Sequence, residues 1–255
     1  MLFVCDIGNS NIKSGFFSEE KISRIKIFED IDTLSKFLSG RKITGAAVSS
    51  VVPGKLKYFK KEFVSLFQHN PYVISRRSDF NLKIDYETPD TLGIDRICSA
   101  EGAFHLYCKR NKHYNKNLYI ITIDFGTATT INIIRFKGIF TGGLILPGVR
   151  MMFKSLRSET AQLPGVIPAE YKNVIGRSTK SSIASGVVNA TVGAVVQTIN
   201  HLKQKDNEAE FKIYATGGNA KYILPYLRIN YEYEPGLVLY GIKAVYENNV
   251  RKKEF

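Results

Sequence analysis

Near its start the chain reads Asp6-Ile7-Gly8-Asn9-Ser10-Asn11-Ile12-Lys13, and in its middle it reads Asp124-Phe125-Gly126-Thr127-Ala128-Thr129-Thr130. Each stretch follows an apolar run that ends in the aspartate, residues 2–6 in the first case and 117–124 in the second. Each then leads into a strand pattern, at 12–17 with Ile12, Ser14 and Phe16 alternating, and at 129–136. Strand, Asp-x-Gly turn, strand therefore occurs twice. A repeat of this kind implies an α/β chain of two duplicated domains that face each other across a cleft.

The surroundings of the two turns extend the parallel. After the first come a β-branched run at 21–28, a helix pattern at 31–39 and a nearly unbroken apolar run at 43–52, stopped by Pro53-Gly54. Such a run suits a parallel strand covered on both faces. After the second turn come a strand pattern at 139–146, a long helical pattern at 179–204 and the strand Phe211–Ala215. The polar stretch 109–117 is the expected boundary, giving domains 1–115 and 116–255.

Composition bounds the function. The 255 residues are 44% hydrophobic, enough for a sizeable core. No stretch approaches the roughly 20 apolar residues needed to span a membrane, and the first residues form no signal-peptide core. A cytoplasmic chain is expected, with Cys5, Cys98 and Cys108 as reduced thiols. The net charge of +13 raises nucleic acid as a partner, but the lysines are spread along the whole chain. The densest run, Lys55 to Lys61, lies among Leu56, Phe59, Phe63 and Leu66 at helical spacing, so its lysines read as the wet face of a helix. No nucleic acid and no membrane are expected as partners.

Several stretches fit the chemistry of phosphate transfer. In Asp6–Lys13, Gly8 lets backbone N–H groups approach an anion, and Asn9, Ser10, Asn11 and Lys13 add donors. Asp6 at the strand end is placed to hold Mg²⁺ directly or through water. Read alone, the stretch is first of all a tight hairpin with Gly and Asn supplying positive φ. The hydroxyl-rich turn at Thr127 repeats the pattern, with Asp124 as a candidate metal ligand, and the pair favours a phosphate site. Thr216-Gly217-Gly218-Asn219 follows a strand and suits close approach of backbone to a ring or phosphate. In Tyr86-Glu87-Thr88-Pro89-Asp90-Thr91-Leu92-Gly93-Ile94-Asp95-Arg96, a helix opens after Gly93 and keeps Asp95 ionised in its first turn. Such a carboxylate can orient an alcohol and accept its proton, while Arg96 can take a substrate carboxylate. The alternative is a capping aspartate beside a surface arginine.

Taken in order, Asp-x-Gly-Asn-Ser, Leu92-Gly93-Ile94-Asp95-Arg96, Asp124-x-Gly-Thr-Ala-Thr-Thr and Gly142-Gly143-x-x-x-Pro147-Gly148 resemble the type III pantothenate kinases. The resemblance takes in Ser50-Val51-Val52-Pro53 and Pro235–Gly241, and so essentially the whole chain. It implies two ribonuclease-H-like, actin-like ATPase domains with mixed sheets, and ATP-dependent phosphorylation of pantothenate on its terminal hydroxyl, the first step towards coenzyme A. By motif match Asp95 is the proton acceptor. Tyr86, Gly93, Ile94, Arg96 and Thr179 are similar to pantothenate contacts, and residues 6–13 with Thr127 to nucleotide contacts. Asp124 is similar to a ligand of a monovalent cation, K⁺ or NH₄⁺, alongside Mg²⁺, and a homodimer is implied. The chain departs from the pattern in Ser10, where threonine is usual, and in Glu87-Thr88 before Pro89; nothing in 164–175 is assigned.

Overall fold

A computed structural model describes residues 1–111 and 115–250. In chain order the elements are β1 (Leu2–Ile7), β2 (Ile12–Ser18), β3 (Lys21–Phe28), α1 (Ile31–Leu38), β4 (Gly45–Ser50), α2 (Pro53–Phe67), β5 (Tyr72–Val73), β6 (Lys83–Ile84) and α3 (Ile94–Arg110). They continue with β7 (Leu118–Phe125), β8 (Ala128–Arg135), β9 (Ile139–Pro147), α4 (Val149–Ser158), α5 (Thr179–Lys205), β10 (Glu210–Thr216), β11 (Glu232–Tyr233) and α6 (Leu237–Val250). These form two compact units, one of residues 1–113, 137–141 and 236–255, the other of 114–136 and 142–235. Within the polar stretch 109–117, residues 112–114 lie outside the described ones.

The first unit is built on a sheet of order β3-β2-β1-β4-β5. β1 is antiparallel to β2 and parallel to β4, so the apolar run at 43–52 supplies the parallel strand that its composition implies. Side chains alternate across a strand, and Phe3, Cys5 and Ile7 of β1 point to one core with Ile31, Leu34 and Leu38 of α1 and Phe59 and Phe63 of α2. Each fully buried phenylalanine there is worth about 1.5–3 kcal/mol of burial. The helical spacing in α2 holds for Phe59 and Phe63, whereas Leu66 faces solvent. α6 meets the same sheet through Phe17 and Tyr240, whose rings meet edge to face at 5.3 Å. α6 also packs on α3 with backbone nearly touching backbone. A Cβ on Gly102 would lie 2.1 Å from the Leu237 carbonyl oxygen, which leaves room only for glycine at that crossing.

The second unit repeats the plan. Its sheet runs β11-β10-β7-β8-β9, with β7 antiparallel to β8 and parallel to β10, as β1 is to β2 and β4. Tyr119, Ile121, Ile123 and Phe125 of β7 face a core shared with Ile183, Val187, Val195 and Ile199 of α5. α5 has the length and composition of a membrane span, which the sequence reading did not foresee, and half of its most apolar stretch is buried in that core. β9 begins in the first unit, where Ile139 and Phe140 pair in parallel with Lys83 and Ile84 of β6.

Candidate active site

In the first unit, the β1–β2 ladder ends at Ile7↔Ile12, and the four residues Gly8–Asn11 make the turn. It closes through Gly8 N–H donating to the Asn11 carbonyl at 3.0 Å. Asn9, Ser10 and Asn11 are exposed, while Ile7 and Ile12 are fully buried. Their side chains belong to the core, so a ligand of the turn meets only their backbone. The Asp6 carboxylate accepts from Ser49 Oγ at 2.5 Å, which fixes it at the strand end.

Leu92 and Gly93 carry the chain from a short 3₁₀ turn, Pro89–Thr91, into α3, and Gly93 is its N-cap with no side-chain cap bond. Asp95 sits one residue inside the helix, and its Oδ1 accepts the Arg96 N–H at 2.9 Å. It therefore satisfies one of the orphan amides of the helix start while sitting at the positive end of the helix dipole. The carboxylate folds back over Gly93, where a Cβ would stand 2.5 Å from Asp95 Oδ1.

Arg96 is not the surface residue of the bland alternative; it is only 5% exposed. Its guanidinium carbon lies 6.0 Å from the Tyr86 ring centre and 5.8 Å from that of Phe140, and those rings meet edge to face at 6.1 Å. Contacts of this range are cation–π contacts, and they orient a planar guanidinium. Phe140 was missed by the sequence reading, because it stands just before the Gly142–Gly148 motif and its role depends on a partner, Tyr86, far away in the chain. Asp6, Glu101 and Asp95 all act on the Cys98 thiol in α3, whose titration burial pushes well up and these carboxylates push further.

In the second unit, Asp124 pairs with Thr130 and Phe125 with Thr129, leaving Gly126 and Thr127 at the turn. The Thr127 carbonyl accepts the Gly148 N–H at 3.1 Å. The Gly217-Gly218 turn lies against this hairpin. Asn219 donates its N–H to the Phe125 carbonyl at 2.9 Å and its Nδ2 to the Gly126 carbonyl at 2.8 Å. Gly217 adopts a φ of +101°, and a Cβ there would stand 2.5 Å from Asp124 Oδ1. The two sequence motifs 124–130 and 216–219 therefore form one structural feature. Thr179 opens α5 behind Ser178, whose hydroxyl accepts the Ser181 N–H at 3.3 Å. It edges a groove of about 950 Å³ walled by Met152, Leu156, Leu163, Ile183 and Val187. Among the described residues no three His, Cys, Asp or Glu side chains are grouped to share a metal ion.

The profile of the type III pantothenate kinases matches residues 2–201. The chain belongs to that family. Solved structures agree on the fold. A candidate Baf family transcriptional activator from Campylobacter jejuni superposes with a TM-score of 0.60 at 22% identity, over 98% of this chain and 99% of the other. Component A of the (R)-2-hydroxyglutaryl-CoA dehydratase of Acidaminococcus fermentans gives 0.52 at 13% identity over the full length of both chains. Glucokinase from an Antarctic psychrotroph gives 0.50 at 13%, over 95% of this chain and 97% of that one. At these identities the likeness is one of fold, and the fold is the mixed α/β, two-sheet architecture of the actin-like ATPases. Within the type III pantothenate kinase family, the Leu92–Arg96 motif and both Asp-x-Gly hairpins fall inside the matched span.

Proposed function

We propose that the protein phosphorylates pantothenate on its terminal hydroxyl with ATP, giving 4′-phosphopantothenate, the first step towards coenzyme A. Family membership supports the reaction class. The observation that carries the reading is the start of α3. There the Asp95 carboxylate, at a helix N-terminus, sits one residue from a buried guanidinium packed on two aromatic rings.

Asp95 orients the substrate hydroxyl and takes its proton as the phosphoryl group arrives. The transition state of such transfers is loose, so alignment and charge neutralisation supply most of the rate. Arg96 binds the carboxylate of the acid, and Tyr86 with Gly93 and Ile94 shapes the same pocket wall. The turn 8–11 offers backbone N–H groups and amide side chains to the phosphates, with Lys13 following. Thr127 is the second nucleotide contact and Thr179 a further pantothenate contact. Mg²⁺, when bound, neutralises the phosphate charge that develops in transfer. For a monovalent cation, K⁺ or NH₄⁺, the donor set fits: Asp124 supplies a carboxylate, and Thr216, its partner across the β7–β10 ladder, has a buried hydroxyl without a hydrogen-bond partner among the described residues. Oxygen ligands of this kind suit hard cations.

A cytoplasmic homodimer completes the reading. The dimer is supported by α5, where neither Gly186 nor Gly193 would place a Cβ within 4 Å of another group, leaving an open face of small residues. Sedimentation at twice the mass of 28.7 kDa is expected.

The test is formation of 4′-phosphopantothenate from pantothenate and ATP with Mg²⁺, with K⁺ present or omitted. Product that falls away without K⁺ supports the assignment and the role of Asp124 together. Transfer to glucose or acetate but not to pantothenate hands the reaction to another acceptor of the same fold, and no transfer at all leaves a regulatory protein on this scaffold.

A further inference from the structure

The end of β1 and the first two residues of the turn, Asp6 to Asn9, are held from behind by the segment Ser49–Lys55. Ser49 Oγ donates to the Asp6 carboxylate at 2.5 Å, and Ser50 Oγ and the Val51 N–H donate to the Ile7 carbonyl at 3.2 and 3.3 Å. Lys55 Nζ, in the first turn of α2, donates to the Asn9 carbonyl at 2.8 Å and, more weakly, to the Gly8 carbonyl at 3.4 Å. Four consecutive residues, Asp6 to Asn9, are thereby tied to one strand end and the helix start beyond it.

We infer that Lys55 is a positioning residue for a nucleoside triphosphate: by holding the Gly8 and Asn9 carbonyls it aims the backbone N–H groups of Asn9 and Ser10 at the phosphates. In a planar trans peptide the C=O of one residue and the N–H of the next point in opposite directions. Holding the Asn9 carbonyl towards α2 turns the Ser10 N–H the other way, and holding the Gly8 carbonyl does the same for the Asn9 N–H. Amides presented in succession make an anion-binding concavity. The duplicated unit shows the same device with another residue. There Asn219, just beyond β10, ties the Phe125 and Gly126 carbonyls of the second hairpin, and β10 stands to β7 as β4 stands to β1. The first unit uses an ammonium where the second uses an amide. An ammonium has three donors, and it adds a positive charge beside a site for polyanions.

This inference rests on the kinase reading, and the experiment separates the two. The affinity for Mg²⁺–AMP-PNP is measured by calorimetry on the full chain for wild type, Lys55→Met, Lys55→Arg and Lys57→Met, together with the affinity for pantothenate. Lys57 is exposed on the same helix and reports the effect of losing one charge. Loss of two charge-assisted bonds to the turn is expected to weaken nucleotide binding about tenfold in Lys55→Met. Lys55→Arg should recover most of it, with pantothenate binding and Lys57→Met at the wild-type level. A Lys55→Met protein that binds nucleotide as wild type or Lys57→Met does overturns the inference and leaves the kinase reading standing. Equal weakening for nucleotide and pantothenate also overturns it, since that is the mark of a general structural role. A wild-type protein that binds no nucleotide overturns both. Should Lys55→Met fail to fold, Lys55→Gln, which keeps one donor group, takes its place under the same criteria.

Discussion

Gly241 of α6 lies so close to Cys98 of α3 that a Cβ built on it would stand 1.8 Å from the Cys98 carbonyl oxygen. That oxygen belongs to helix backbone and cannot turn aside. Gly241→Ala must part the two helices, and overpacking of this kind costs about 3 kcal/mol or more. Gly54→Ala is the matched control, since a Cβ there meets nothing within 4 Å, and it should be neutral or stabilising by up to about 1 kcal/mol. Urea midpoints of the two variants check the contrast. Since α3 carries Asp95 and Arg96, the Gly241 variant should also lose activity in proportion to its unfolding.

Asp95→Asn separates chemistry from architecture. Asparagine keeps an oxygen able to accept the Arg96 N–H, so the helix start should remain intact. Turnover is expected to fall by about 10² or more, the usual worth of a positioned acid–base group, while nucleotide binding stays within a few-fold. Near-full turnover in a steady-state assay would remove Asp95 from the proton-transfer role.

Arg96→Lys tests the aromatic clamp. A lysine keeps the charge but has neither the planar fork nor the flat face that lies about 6 Å from both Tyr86 and Phe140. KM for pantothenate should rise by roughly ten- to a hundredfold, with KM for ATP little changed, as expected from losing one bidentate contact. Phe140→Leu should move the same constant in the same direction by a smaller factor.

Much of this was legible in the residues, and the limits have physical causes. The hairpins could be read because a buried strand that ends in Asp-x-Gly favours a turn, and the repetition made the pattern harder to dismiss. β1, β2, β4 and β7 follow the apolar runs closely, as buried strands do. β5, β6 and β11, two residues each, leave no periodicity to read. Phe140 and Lys55 escaped for another reason: their roles depend on which segments meet in space, and both lie just outside the motifs that could be read. Lys55 was read as one of several lysines on a wet helix face, and only the bonds to Gly8 and Asn9 set it apart.

Glu101 is fully buried in α3 and accepts the backbone N–H groups of Asn81 and Leu82 at 3.1 and 3.2 Å, as well as the Asn81 side-chain amide. It thereby anchors the chain just before β6 and Tyr86. Burial raises its titration point, and the bonds from Asn81 and Leu82 oppose that rise. A carboxyl with a folded pKa above its unfolded one stabilises most below the unfolded value, and that contribution is lost as pH rises through the folded one. Glu101→Gln turns an N–H towards N–H donors, so it should cost about 1–3 kcal/mol for each donor left without a partner. It should also flatten the fall in stability that the wild type shows as pH rises above the ordinary glutamate range. Chemical unfolding between pH 4 and 7 checks both effects.

His105 gives a stability dependence of the opposite sign. It lies half-buried in α3, with Lys109 on its own helix, Lys243 and Glu247 on α6, and Glu20 from the β2–β3 turn at 3.7 Å. Burial lowers its pKa first, Lys243 and Lys109 lower it further, and Glu20 and Glu247 pull it back up. The folded state therefore favours the neutral ring. Its contribution is fully present above the unfolded value near 6.5 and is lost as pH falls towards the depressed folded value. Glu20 adds to this at lower pH. Hydrogen bonding from Lys109, and then from the buried Lys243, holds its carboxylate down to about 2, so its stabilisation fades as pH falls from about 4.5 towards that value. His105→Gln should remove the loss of stability that begins below pH 6.5 and leave the one that begins below 4.5. Denaturant midpoints taken from pH 7.5 down to 3.5 would show the two steps separately, and a His105→Gln curve that still falls between 6.5 and 5 would assign that step to another group.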